Sequence, residues 1–368
     1  MNNAPQRLLI AGGGTGGHLF PALAVAEAWE ARGGETLFVG TERGLEARIL
    51  PKMGRNLKTL KVGQLKGGGI IRRLHTVMGL PRALLQAQRI VKQFDPHVVM
   101  GVGGYASAPA VAAARLSGRP TALHEQNALP GLANRKLGRW AHRIFISFPE
   151  AKSAFIPERT ILTGNPVRAA FLERIQTPNT PYPDHFNTMR PLRLLVFGGS
   201  QGASIFSEII PDAIDGLGEK ASSVEVRQQA RKPEVEALSL RYQQSGITAR
   251  VSDFINDMAT AYQWADLVIC RAGATSVAEI TAMAKPALLI PYPYATDDHQ
   301  TANAQSLVDA GGGWMQQQST LTTEWLTQLL ATHLAHPDKL LEVGKQAKKM
   351  GRPQAARDIA QHLSDMIS

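Results

Sequence analysis

Arg7-Leu-Leu-Ile-Ala11 is a short apolar run that passes straight into Gly12-Gly-Gly-Thr-Gly-Gly-His18. An Ala-rich helical pattern carrying Leu23 and Val25 follows, from Pro21 to Ala31. The order is strand, glycine loop, helix, the opening unit of a doubly wound α/β sheet. It returns half a chain later as Leu192-Arg-Leu-Leu-Val-Phe197, then Gly198-Gly-Ser-Gln-Gly202, then a helix opening over Ala203 to Ile210. Short-period repeats recur every 20–50 residues. A spacing of half the chain instead predicts two α/β domains.

Further apolar runs alternate with helical stretches. Strands are expected at Thr36–Val39, His97–Gly101, Thr121–His124 and Arg143–Ile146, and again at Ser223–Gln228, Ala249–Val251, Leu267–Cys270 and Ala287–Pro291. These runs lack strict alternation, as suits strands buried on both faces of a parallel sheet. Gln176–Arg190, rich in Pro and Thr, reads as a loop, and the crossover between domains is expected near Leu162–Pro166. Asp338 to Ile367 reads as helix, polar on one side.

Composition narrows the class. The chain has 368 residues, 44% hydrophobic and 19% charged, which excludes collagen, coiled coil and wholesale disorder. One cysteine, Cys270, excludes an intrachain disulfide framework and a multi-cysteine zinc site, and suits a reducing compartment. No signal peptide is expected, because Met1 to Gln6 is polar. The longest stretch free of Asp, Glu, Lys, Arg and His, Val98 to Ala114, has 17 residues and is broken by Gly101, Gly103, Gly104 and Pro109. A spanning helix needs ~20 apolar residues, so a soluble or peripheral protein is expected. Residues 1–165 carry 22 Lys+Arg against 9 Asp+Glu, while residues 166–368 carry 18 against 21. The basic half therefore suits an anionic partner: nucleic acid, anionic lipid or a phosphorylated substrate. No nucleic-acid motif accompanies it, and nucleic acid is not expected as a partner.

The glycine loops are the first chemical signal. A loop between strand and helix aims backbone N–H groups and a positive helix end at an anion. Gly12, Gly14 and Gly17 formally satisfy G-x-G-x-x-G, which raises a dinucleotide-dependent oxidoreductase as the alternative reading, with Glu42 as ribose ligand. The surplus glycines, His18 after the loop and the second loop argue against it. No G-x-x-x-x-G-K-[ST] is present. His18 falls at a helix start beyond a strand end, where a histidine suits general-base work. Polar clusters follow other strand ends: Gly101-Val-Gly-Gly-Tyr-Ala-Ser107, His124-Glu-Gln-Asn127, Arg271 to Glu279 and Asp297 to Asn303. In the third, Thr275 and Ser276 open a helix and Glu279 stands a turn further on, as a phosphate and a ribose diol would require. Asp297-Asp298 is not the Asp-x-Asp of a metal-dependent nucleotide-sugar site, and no such triplet occurs.

At these residues the sequence resembles the MurG family of bacterial N-acetylglucosaminyltransferases. The resemblance is carried by Gly12–His18, Gly101–Tyr105, His124–Asn127, Gly164-Asn-Pro-Val-Arg168, Gly198–Ala203, Arg271–Ala274 and Asp298-His-Gln300, in order. It implies a GT-B fold, two Rossmann-like doubly wound parallel-sheet domains facing a central cleft. Residues 1–164, joined by a C-terminal helix at about 350–368, would face acceptor and membrane, and residues 165–349 would bind UDP-GlcNAc. It implies inverting, metal-independent transfer, without cofactor, of GlcNAc from UDP-GlcNAc to the 4-hydroxyl of undecaprenyl-diphosphate-MurNAc-pentapeptide (lipid I), making β-1,4-linked lipid II for peptidoglycan. By position, Thr15, Gly16, Gly17, Asn127, Arg168, Ser200, Ile255, Ala274, Thr275, Ser276, Val277, Ala278, Glu279, His299 and Gln300 would line the donor site. Gly14, Gly103, Gly104, Tyr105 and Glu125 would meet the acceptor. His18 matches the base, with Glu125 the next candidate. The loop Tyr292–Asp298 is one residue longer than in some relatives, which leaves the sugar to His299 or Gln300. The implied setting is peripheral, on the cytoplasmic face of the bacterial inner membrane, with an anionic membrane surface and other cell-wall synthesis proteins as partners. Lys61 to Arg89, with Lys66, Arg72, Arg73 and Arg82 among Ile70, Ile71, Leu74, Val77, Met78 and Leu80, reads as the interfacial segment.

Overall fold

The computed structural model describes residues 5–61, 70–176, 190–199 and 202–367, with side chains from 81 onward in the segment that starts at 70. Two compact units are present: Met1–Arg168 with Arg352–Ser368, and Ala169–Gly351. The chain thus leaves the first unit after Arg168, rather than at residue 164, and returns after Gly351.

The first unit runs β1 (Arg7–Ala11), α1 (Gly16–Glu30), β2 (Glu35–Thr41), α2 (Leu45–Ile49), β3 (Leu57–Leu60) and α3 (Ile70–Phe94). It continues β4 (Val98–Gly101), α4 (Ser107–Leu116), β5 (Thr121–Glu125), α5 (Leu132–Leu137), β6 (Arg143–Ile146) and β7 (Thr160–Leu162). The second runs α6 (Ala169–Gln176), β8 (Leu192–Phe197), α7 (Ser204–Asp215), β9 (Val224–Gln229), α8 (Val235–Gln244), β10 (Thr248–Ser252) and α9 (Met258–Trp264). It continues β11 (Leu267–Cys270), α10 (Ala274–Ala282), β12 (Ala287–Leu289), α11 (His299–Asp309), β13 (Gly313–Met315), α12 (Thr323–Ala335) and α13 (Pro337–Met350). Helix α14 (Ala355–Asp365) rejoins the first unit.

Both sheets are parallel and doubly wound, ordered β3-β2-β1-β4-β5-β6-β7 and β10-β9-β8-β11-β12-β13. Strand β1 shows why. Leu8 and Ile10 enter one apolar cluster, Leu9 and Ala11 another, so neither face of the strand meets water. The order reverses between β1 and β4, and between β8 and β11. In such sheets ligands bind at this switch point, beyond the strands' carboxyl ends.

Three expectations differ from the structure. Helix α1 opens at Gly16, not Pro21, so His18 stands inside its first turn. The single helix expected over Asp338–Ile367 is two, because Gly351-Arg352-Pro353 cannot continue a helix. Helix α14 then buries Ile359, Ala360 and Leu363 with Leu19 and Leu23 of α1. The strand expected to reach Pro291 ends at Leu289. Strands β3, β7 and β13 had no forecast, being short and, for β7 and β13, only half-buried. Among the described residues no helix is long and apolar enough to cross a membrane.

Candidate functional site

In the first unit, the loops after β1 and β4 pack backbone to backbone. Gly12, Gly13, Gly14, Gly103 and Gly104 all have positive φ, between 78° and 142°, which side chains rarely tolerate. A Cβ on Gly12 would overlap the Gly103 carbonyl, and one on Gly104 the Gly13 carbonyl. Thr15 caps α1 in extended conformation, and its carbonyl accepts from the N–H groups of His18 and Leu19. The first-turn amides of Gly16 and Gly17 are those a helix start leaves without an in-helix acceptor. The half-buried imidazole of His18 lies against Gly103: a Cβ there would stand 3.3 Å from Nε2. Tyr105 is half-buried at the end of the same loop. The switch point thus brings together His18, Gly14, Gly103 and Gly104.

Beneath this site lies His124, fully buried at the end of β5. Burial, and secondarily the charge of nearby His18, lowers its pKa to about 4. Gln126 Nε2 bridges the Val102 carbonyl (2.9 Å) and His124 Nδ1 (3.2 Å). The structure gives Glu125 a different task from the base or acceptor ligand expected of it. It is 2% exposed. Its Oε1 accepts from the Asn127 backbone (3.0 Å), and its Oε2 from Gly131 N–H (3.1 Å) and Asn134 Nδ2 (2.9 Å). Burial pushes its pKa up against these donors. A carboxylate so engaged shapes the 126–131 loop, including the donor candidate Asn127, and is poorly placed to take a substrate proton. Arg168 belongs to this unit, its guanidinium 5.3 Å from the Phe20 ring centroid.

Glu46 carries no motif signal in the sequence. This buried residue of α2 accepts the Gly14 N–H (2.6 Å). It thereby occupies the place where a bound dinucleotide's pyrophosphate would meet the loop. The oxidoreductase alternative is therefore set aside.

In the second unit the corresponding loops are Gly198–Gly202 and Arg271–Gly273. Ser200 lies outside the described residues. Helix α10 opens at Ala274 behind Gly273, where an added Cβ would meet only Ser276 Oγ, at 3.9 Å. Ser276 and Ala278 are half-buried and Val277 is buried. Among the described residues, Thr275 Oγ1 is buried without a hydrogen-bond partner, at the turn whose amides seek an anion. Glu279 is 4% exposed, which excludes a solvated helix residue. It lies near Cys270, whose thiol burial and then this carboxylate push up. Ile255 is half-buried beside Phe254, which is 60% exposed and was not anticipated.

The Asp297–Asn303 stretch divides its roles. Asp297 and Asp298 are exposed at φ 53° and 50°, a rare conformation for two successive non-glycine residues. Gln300 Oε1 accepts from Tyr292 N–H (2.9 Å), which leaves its amide N–H groups as its means of reading a ligand. His299 Nδ1 contacts the Thr296 carbonyl at 2.6 Å and must donate there, so its Nε2 is an acceptor when the ring is neutral. Asn303, the last residue of this polar cluster, is fully buried and donates to the Ala272 carbonyl, tying α11 to the 271–273 loop. Arg271 was also missed as a strut: it donates to the Ile290 and Pro291 carbonyls and to Gln318 Oε1. Among the described residues no three His, Cys, Asp or Glu side chains gather as a metal ion would require.

Comparison with known proteins agrees with this layout. Residues 8–146 match the glycosyltransferase family 28 N-terminal domain, and residues 193–362 its C-terminal domain. The UDP-N-acetylglucosamine--N-acetylmuramyl-(pentapeptide) pyrophosphoryl-undecaprenol N-acetylglucosamine transferase of Magnetococcus marinus is 51% identical, over 100% of this chain and 99% of its own. Its namesake from Myxococcus xanthus is 45% identical, over 98% and 93%. The crystal structure of Acinetobacter baumannii MurG superposes with a TM-score of 0.81 at 32% identity, covering 98% of this chain and 100% of that one. The fold is GT-B. With such identity sustained from end to end, the chain belongs to the MurG family of glycosyltransferases.

Proposed function

We propose that this protein transfers N-acetylglucosamine from UDP-GlcNAc to the muramyl 4-hydroxyl of lipid I, giving lipid II for peptidoglycan synthesis. The first unit takes the acceptor and the second most of the donor. The observation that carries the mechanism is the imidazole of His18 at the switch point of the first sheet, bare on the Gly103 backbone. The acceptor O4 attacks the anomeric carbon as the bond from that carbon to the UDP oxygen breaks. The O4 proton passes to His18, and the electron pair leaves with UDP. Inversion gives the β-1,4 bond. The α10 amides and the Thr275 hydroxyl receive the diphosphate, and Glu279 the ribose diol; Thr275 Oγ1, unpartnered among the described residues at the helix start, supports this reading. Gln300 reads the sugar as a donor, and His299 as an acceptor. No metal or other cofactor takes part: dipoles and helix ends neutralise the leaving group.

The same reading places the protein peripherally on the cytoplasmic face of the bacterial inner membrane, with other cell-wall synthesis proteins as partners. Support comes from α3 and α4, which pack together and expose Leu85 (56%) and Leu116 (68%) beside exposed Arg82, Arg89 and Arg115. Exposed apolar side chains among cations suit an anionic lipid surface. The side chains of Arg72 and Arg73, and Lys66 altogether, lie outside the described residues. Radiolabel transfer from UDP-GlcNAc to a lipid I analogue tests the activity. Label that stays in the nucleotide sugar, with NAD(P)-linked turnover in its place, would overturn it.

A further inference from the structure

The first glycine loop closes on an anion of the protein's own. Glu46 stands in the first turn of α2 and is 1% exposed. Its Oε2 accepts from Gly14 N–H at 2.6 Å. Its Oε1 accepts from the backbone N–H of Thr41 at 2.8 Å and from the Thr41 hydroxyl at 2.9 Å. Three glycines clear the space: a Cβ on Gly13, Gly40 or Gly44 would overlap this side chain. The end of β2, the start of α2 and the loop after β1 therefore meet on one carboxylate. One residue beyond Gly14, the Thr15 carbonyl starts α1 by accepting from His18 N–H. On its far side the loop rests on Gly103 and Gly104.

We propose that Glu46 is a positioning residue for the transfer reaction, whose carboxylate pins Gly14 and so holds the first turn of α1 in the register that lays His18 against Gly103. A five-glycine loop has no side-chain packing to hold it, and positive φ at three successive residues is sparsely restrained without such an anchor. A charged acceptor of backbone N–H groups supplies strong, directional bonds. A consequence is that the Gly14 amide, expected to meet the acceptor, is committed within the protein. The acceptor's diphosphate then meets donors other than this amide.

The proposal rests on His18 as the base, so the test is a double-mutant cycle on the full chain. Glu46→Gln keeps the shape but offers one acceptor oxygen where donors converge from two sides. It is measured alone, with His18→Ala, and against His18→Ala alone. In the wild-type background kcat should fall about 10- to 100-fold, as loss of near-attack geometry does, with KM for UDP-GlcNAc within about threefold. In the His18→Ala background the same change should cost less than about twofold, because residues acting as a unit are not additive. Wild-type kcat in Glu46→Gln, or an equal loss in both backgrounds, overturns the proposal and leaves the base assignment standing. Near-normal kcat in His18→Ala alone overturns both. Should Glu46→Gln fail to fold, Thr41→Val removes one donor and keeps the charge. It must then give a smaller kcat loss confined to the His18 background, and an unchanged kcat rejects the idea.

Discussion

The Nε2 atom of His18 would stand 3.3 Å from a Cβ on Gly103, so the imidazole rests on the bare backbone of the loop that follows β4. Residues 85 positions apart thus form one surface, because β1 and β4 are neighbours in the sheet. Replacing the imidazole should strike the chemistry and spare the donor. His18→Ala should lower kcat at least ~100-fold, the scale of lost general-base help, while UDP affinity changes only a few-fold. Steady-state transfer assays and calorimetric UDP titration check both halves. Near-normal kcat would show that His18 is not the base.

Glu279 is assigned to the ribose from a buried position on α10. Glu279→Ala should weaken UDP and UDP-GlcNAc together by ~1.5–3 kcal/mol, roughly 10- to 150-fold. Calorimetry on a folded variant decides: unchanged UDP affinity leaves Glu279 with a structural role near Cys270 only.

Transfer should persist in excess EDTA, because the diphosphate is assigned to amides and helix ends. Loss of activity that Mg²⁺ or Mn²⁺ restores would refute metal independence.

Leu85→Glu with Leu116→Glu should release the protein from anionic vesicles in sedimentation assays. The double change removes two exposed apolar contacts and adds two repelled charges. Basic residues at such a surface contribute about 1 kcal/mol each and are screened by salt, so wild-type binding should fall as salt rises. Equal sedimentation of variant and wild type at low salt contradicts the docking surface.

His124 makes the fold sensitive to acid. Its folded pKa is lowered to about 4, against about 6.5 in an unfolded chain. Between these values the unfolded state binds the extra proton, so stability falls as pH drops from 6.5 towards 4. This one group should cost about 2 kcal/mol at pH 4.5 relative to pH 7.5. Urea melts of wild type and His124→Gln across that range should show a shallower acid slope in the variant. Parallel slopes would mean that His124 is not held neutral in the fold.

Much of this architecture is legible locally. Apolar runs ending in glycine mark β1 and β8, since buried parallel strands need continuous apolar residues and a ligand-facing turn needs positive φ. Charge imbalance between the halves and the polar clusters after β4, β5 and β11 are likewise readable from composition and order. Edge strands β3, β7 and β13 are not, because half-exposed three- or four-residue strands carry little hydrophobic signal of their own. Nor is the start of α1: a helix whose first turn is Gly16-Gly17-His18 has poor local propensity and is set by the packing of its later turns.

Local sequence pattern is enough to specify two doubly wound units, where their phosphate-seeking loops fall, and that His18 closes the first of them. Which carboxylates are internal follows from the folded packing alone. Glu46 and Gly14 lie 32 residues apart, yet the carboxylate serves the loop. Glu125 sits beside Asn127 in a cluster that reads as catalytic, yet its oxygens are taken by Asn127, Gly131 and Asn134. Hydrophobic periodicity is a property of neighbours along the chain. The pairing of a buried charge depends on which donors the folded sheet brings within about 3 Å of it, and no spacing along the chain encodes that distance.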